Sequence, residues 1–155
     1  MEQIELFQKH LLLIRRAVGW SAERFGDKVG VTRATINNLE SGRTKLSKTL
    51  YIAMRSVLDV EIKNYPDETK TLQLILETFV DHPEKYSEED KKKFLDKLNI
   101  VTPSVLAGSA TRKDVSAEAT KFAIGSALAA ITPAAIGFGV ATATWLVSLL
   151  SDDNK

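Results

Sequence analysis

Residues 19–43 read GWSAERFGDKVGVTRATINNLESGR. Ser21 is placed to cap a short helix running to about Val29, with Glu23 in its first turn where an acid suits the helix dipole. Gly30 supplies a residue able to take positive φ at a sharp turn. Thr32 caps the next helix, Arg33 to Ser41, which Gly42 stops. On a helical wheel Ile36 and Leu39 face inward, Ala34, Asn37, Asn38 and Ser41 point outward, and Arg33 lies on the flank. The outer face is rich in amides and carries no acid to be repelled by phosphate. Asn pairs bidentately with adenine and Arg with guanine in a major groove. Gly26 is read as a close crossing point of the two helices, where a side chain has no room.

The flanks extend this helical reading. Ile4, Phe7, Leu11, Ile14 and Val18, spaced by three and four, predict one helix over residues 4–18, ended by Gly19. Ser47 predicts a further helix to about Leu58, burying Leu50, Ala53, Met54 and Val57. Asn64-Tyr65-Pro66-Asp67 reads as a break. Taken together, Gly19, Ser21, Gly26, Val29-Gly30-Val31-Thr32-Arg33, Ile36, Leu39-Glu40 and Gly42 make the segment from Leu11 to Ile62 similar to the Cro/C1-type, lambda-repressor-like (XRE) helix-turn-helix family.

That resemblance implies a five-helix DNA-binding domain with Arg33 to Glu40 as recognition helix. It implies base-edge contacts from Arg33, Ala34 and Asn38, with Asn37 close by. It implies phosphate contacts from Thr32, Thr35, Arg43 and Lys45, and from main-chain N–H groups near Ser21. Arg15 falls where the family places an arginine that pairs with the glutamate at position 40, joining the first helix to the recognition helix. Two departures bear on affinity and base choice. Ala22 stands where the family usually has Gln, and Ala34 has only a thymine methyl within its reach. Trp20 replaces a typical Leu and is read as a plug in the core.

Charge distribution agrees with an anionic partner. Residues 1–64 hold 11 basic and 7 acidic side chains, against 9 and 11 in residues 65–121, so the excess of cations is confined to the N-terminal part. Other chemistry is poorly provided for. The 155 residues contain no Cys and only His10 and His82, which excludes thiol nucleophiles, cysteine zinc sites and a histidine pair. His10 is read as a partly buried helix residue and His82 as a helix-end residue. No enzyme, metal or cofactor is expected. Met1 to Glu5 begin acidic, and Arg15-Arg16 interrupt the apolar run Leu11 to Ile14, unlike a secretory signal, so the N-terminal part is expected in the cytoplasm.

Beyond residue 64, Leu72, Ile75, Leu76, Phe79 and Val80 predict an amphipathic helix ended by Asp81-His82-Pro83. Ser87 with Asp90 forms a capping box for a helix burying Phe94, Leu95 and Leu98. Thr102 to Arg112 reads mostly as linker, with a helix restarting near Val115. Residues 122–150 carry no charge over 29 positions, long enough to span a membrane, but Pro133 divides the run. It is small-residue rich and reads as an Ala/Gly-rich helical hairpin or anchor. Lipid, a second subunit and the chain's own core are all open as its environment.

The expected architecture is therefore all-α. Residues 1–64 form the DNA-binding domain, 65–112 a helical middle region and linker, and 113–155 the apolar hairpin or membrane anchor. The expected function is a transcriptional regulator, a repressor acting as a homodimer on double-stranded DNA. Alternatives are an antitoxin-like module that binds a protein partner, and a regulator or effector anchored in the membrane through 122–150.

Overall fold

A computed structural model describes residues 2–124 and 144–152, and among them every regular element is a helix. The expected division of the apolar run at Pro133 falls within residues 125–143, which lie outside the described residues. Among the described residues, no helix is long and apolar enough to cross a membrane.

Helices α1 (Glu2–Lys9) and α2 (Leu11–Val18) replace the single helix expected over 4–18. The break falls at His10, with φ −105° and ψ 13°. No Pro or Gly causes it. Both helices keep their apolar residues inward, because the three-and-four spacing runs on across the break. The bend places the His10 ring 4.9 Å from Phe79, a residue of the distant C-terminal part. α3 (Ala22–Val29), α4 (Arg33–Glu40) and α5 (Lys48–Asn64) follow, so the five helices of the N-terminal part arise from the break at His10. Ser21, Thr32 and Ser47 each accept a hydrogen bond from the backbone N–H three residues on, satisfying a donor that the helix leaves unpaired.

α5 buries a different face from the one expected. Tyr51, Met54, Arg55 and Leu58 are inside, whereas Leu50, Ala53 and Val57 are only half-buried. The buried face thus includes Arg55, whose guanidinium finds a carboxylate partner at Asp81. α6 (Lys70–Ile75) runs directly into a π-helical segment, Leu76–Asp81. It is not amphipathic. Thr71 to Leu76 and Thr78 to Val80 are all buried, because α1 and α2 cover one side and α9 the other. A 3-10 turn (Pro83–Lys85) leads to α7 (Glu88–Val101), capped by Ser87, whose hydroxyl accepts from the Asp90 N–H and donates to its carboxylate.

Residues 102–112 are more ordered than a linker: Thr102 is buried and α8 (Pro103–Leu106) begins at once. α9 (Arg112–Ile124) starts with a clamp. Arg112 reaches Glu61 at 2.9 Å and Glu68 at 3.0 Å, and donates to the Val18 carbonyl. α10 (Thr144–Asp152) lays Trp145 edge-on to Tyr51, and its indole N–H donates to Asp59 at 2.7 Å. One cluster of buried side chains thus runs from Ile4 through Phe25, Ile36 and Phe79 to Leu149.

His10 gives this core a pH signature. Burial, and secondarily the neighbouring Lys9 charge, lowers its pKa to about 4. The unfolded chain, with an ordinary imidazole near 6.5, binds the proton more readily than the folded one. The contribution is complete above pH 6.5 and is lost as pH falls toward 4. The unfolding free energy read from urea titrations is expected to drop across that window by an amount of order 1 kcal/mol, discounted for the partly exposed ring. His10→Gln is expected to flatten that slope. An unchanged pH profile in the variant would contradict the assignment.

Candidate nucleic-acid interface

The interface is built on the crossing of α3 and α4. Gly30 turns the chain at φ 82°, and the N–H groups of Gly30 and Val31 both donate to the Gly26 carbonyl, at 2.8 and 2.9 Å. α4 inserts Ile36 and Leu39 into the core and leaves Arg33, Ala34 and Asn37 exposed, with Thr35 and Asn38 half-buried. The outer face is not covered by the rest of the described chain. Thr32 and Ser21 are exposed but committed: Thr32 Oγ1 accepts from the Thr35 N–H at 3.2 Å, and Ser21 Oγ from the Arg24 N–H at 3.1 Å. Thr32 and Thr35 also bond each other through their hydroxyls at 3.0 Å.

After α4 the chain turns at Gly42, φ 78°, into an exposed loop carrying Arg43 and Lys45. Its first amides fold back on the helix end: Arg43 N–H donates to the Asn38 carbonyl at 2.9 Å. Among the described residues, neither Arg33, Arg43 nor Lys45 has a carboxylate partner. Three unpaired cations therefore bracket an amide-bearing face, an arrangement suited to a polyanion with base edges to read.

Behind that face the helix is fixed by charge. Arg15 of α2 grips Glu40 at the end of α4: Nη2 lies 2.9 Å from Oε1, and Nε donates to both carboxylate oxygens at 3.0 and 3.1 Å. Its Nη1 also donates to the Trp20 carbonyl at 3.0 Å. The side chains are only 11% and 8% exposed, so the pair is shielded from screening in a way a surface ion pair is not. Trp20 is fully buried beside Phe25, with the Lys28 ammonium 4.7 Å from its ring centroid.

One contributor went unread in the sequence. Gln8 of α1 donates through Nε2 to the carbonyls of Leu39 (3.0 Å) and Thr44 (2.7 Å), and its Oε1 accepts the Leu46 N–H at 2.9 Å. Its partners are main-chain atoms more than 30 residues away, which no local pattern announces. Among the described residues no group of His, Asp and Glu is arranged to hold a metal ion.

A short α3, a glycine turn and an exposed polar α4 locked from behind define a helix-turn-helix nucleic-acid-binding module. Residues 11–63 match a family model described as helix-turn-helix, and over this N-terminal stretch the chain is similar to the Cro/C1-type members of that DNA-binding class. α1, with Gln8, lies before the matched stretch. No curated protein and no solved structure matches the chain.

Proposed function

We propose that the chain is a sequence-specific transcriptional regulator, a repressor that occludes promoter DNA as a dimer on a two-fold operator in the cytoplasm. The observation that carries this reading is the open α4 face, with Asn37 and Asn38 between the unpaired cations Arg33 and Arg43. Arg33, Ala34, Asn37 and Asn38 meet base edges. Arg43, Lys45, Thr32, Thr35 and the N–H groups at Ser21 meet phosphates. Cations supply most of the affinity by releasing counterions, and base contacts add roughly 1–3 kcal/mol of discrimination for each good bidentate pair. A single module buries little surface, which favours two copies on half-sites one helical turn apart. Residues 1–64 serve as the DNA-reading part, 65–112 as the helical middle region and linker, and 113–155 as the part that serves assembly.

Arg33→Ala is expected to relax base preference, by up to about 3 kcal/mol of discrimination at one position. Arg43→Ala is expected to weaken binding to all sequences alike and to flatten the slope of log K against log salt by about 1. Mobility shifts of the full chain on selected and scrambled duplexes, over a salt series, read both effects. Sedimentation of the same samples reads the oligomer. A full-length chain that binds no duplex sinks the proposal and leaves the protein-contact reading in its place.

A further inference from the structure

The loop bearing Arg43 and Lys45 is held by one side chain of a helix that precedes the helix-turn-helix match. We infer that Gln8 is a positioning residue for phosphate contact, acting through the Gly42–Lys45 loop. The inference rests on the DNA-binding reading above.

The chemistry of the contact supports it. A primary amide has two N–H donors and a carbonyl acceptor, and Gln8 uses both ends on main-chain atoms. Its Nε2 joins Leu39, near the end of α4, to Thr44 in the loop. Its Oε1 takes the N–H of Leu46, where the loop re-enters the core. Thr44 stands between Arg43 and Lys45, so a bond at its carbonyl fixes the backbone that carries both cations. Without Gln8, the retained loop bonds join Gly42 to the Leu39 carbonyl and Arg43 and Thr44 to the Asn38 carbonyl, and these hold the start of the loop to α4 but leave Lys45 and Leu46 without a hydrogen-bonded tether to α1. The cations would stay on the surface but sample more positions, and each phosphate contact would then require ordering them on binding. α1 is itself seated on the C-terminal half, where Gln3 Nε2 donates to Asp81 and His10 lies on Phe79. The loop is therefore referenced to the whole core rather than to α4 alone.

The test is a salt series of duplex binding by full-length wild type, Gln8→Ala, and Arg43→Ala/Lys45→Ala with and without Gln8→Ala. For Gln8→Ala a loss of about tenfold in affinity near 0.1 M salt is expected, with the log K–log salt slope shallower by about 1 to 2. The ratio of affinities for selected and scrambled sequences is expected to stay at the wild-type value. In the Arg43→Ala/Lys45→Ala background, Gln8→Ala is expected to have no further effect on binding, since the cations it positions are gone. A purely structural role would lower the folded fraction without changing the slope. An unchanged slope, or a full additive loss in the double-cation background, overturns the inference while wild-type binding stands. Wild type that binds no duplex overturns the underlying reading and this inference with it. Amide exchange on the wild-type chain keeps the geometry testable if Gln8→Ala does not fold. The Leu46 N–H is expected to be protected, and free exchange there overturns the tether.

Discussion

Asp81→Ala is expected to destabilise the fold by about 3 kcal/mol, more than removal of any surface charge. Arg55 sits on the inner face of α5 with its side chain 3% exposed, and Asp81 meets it with two parallel bonds, Nη1 to Oδ1 at 2.7 Å and Nη2 to Oδ2 at 2.9 Å. Among the described residues the Arg55 Nε has no hydrogen-bond partner. Other groups nearby are poor substitutes. Burial pushes the Tyr51 phenol up to about 12, so it stays neutral, and burial also raises the Asp59 carboxyl. Asp59 in addition already accepts the Trp145 indole N–H. Without Asp81 the guanidinium is left buried and undercompensated, the situation that typically costs about 3–5 kcal/mol. The lower end applies because Asp81 is itself 21% exposed and water can follow it. Replacing both partners, Arg55→Met with Asp81→Leu, is expected to recover most of the loss. Urea unfolding of wild type and the two variants checks this. A single-variant cost under 1 kcal/mol, or a double variant worse than the single, would contradict the account.

This pair also marks where the sequence stops being legible. Helix starts were readable because capping is local: Ser21, Thr32, Ser47 and Ser87 each bond the N–H three residues along, and that spacing is visible in the chain itself. The turns were readable for the same reason, since Gly30 and Gly42 stand where the backbone takes positive φ. Arg55 was not readable as a core residue, because a charge is buried only with a partner and that partner lies 26 residues on. The break at His10 was hidden because apolar spacing continues through it, and the contact it serves, Phe79, belongs to a later helix. The spacing of Leu72, Ile75, Leu76, Phe79 and Val80 predicts an amphipathic helix, and nothing local marks Thr71, Gln73 and Thr78 on its other side as core residues. They are buried, Thr71 bonded to Ser116 and Gln73 to the Pro66 carbonyl. In the interface, the outer face of α4 followed from helical geometry, whereas the Gln8 tether depends on a loop position that only the assembled core defines.

Gly26→Ala is expected to cost about 3 kcal/mol and to reduce duplex affinity of the remaining folded protein, whereas Gly30→Ala is expected to cost about 1–2 kcal/mol and to leave affinity near wild type. The two glycines are required for different reasons. A Cβ at Gly26 would lie 2.5 Å from the Val31 carbonyl oxygen and 3.3 Å from two main-chain atoms of Thr32. All three are backbone, so no rotamer change relieves the contact. The turn is bonded to Gly26 through the N–H groups of Gly30 and Val31, so it cannot withdraw without breaking the bonds that form it. Relief therefore has to come from tilting α3 against α4, and α4 is held from behind by Arg15 and Glu40. A tilt that frees the methyl moves Thr32, the cap of α4, and with it the placement of Arg33 and Asn37, which the proposed function sets against base edges. At Gly30 a Cβ meets nothing within 4 Å, and the only penalty is the left-handed backbone at φ 82°. Gly30→Asn, a residue that tolerates that region, is expected to recover part of the loss, while Gly26→Asn is expected to be at least as damaging as Gly26→Ala. Urea midpoints and mobility shifts on the same samples separate steric from conformational demand. If Gly30→Ala proved the costlier change, or shifted affinity as much as Gly26→Ala, close approach at the crossing would not be what sets the angle of the recognition helix.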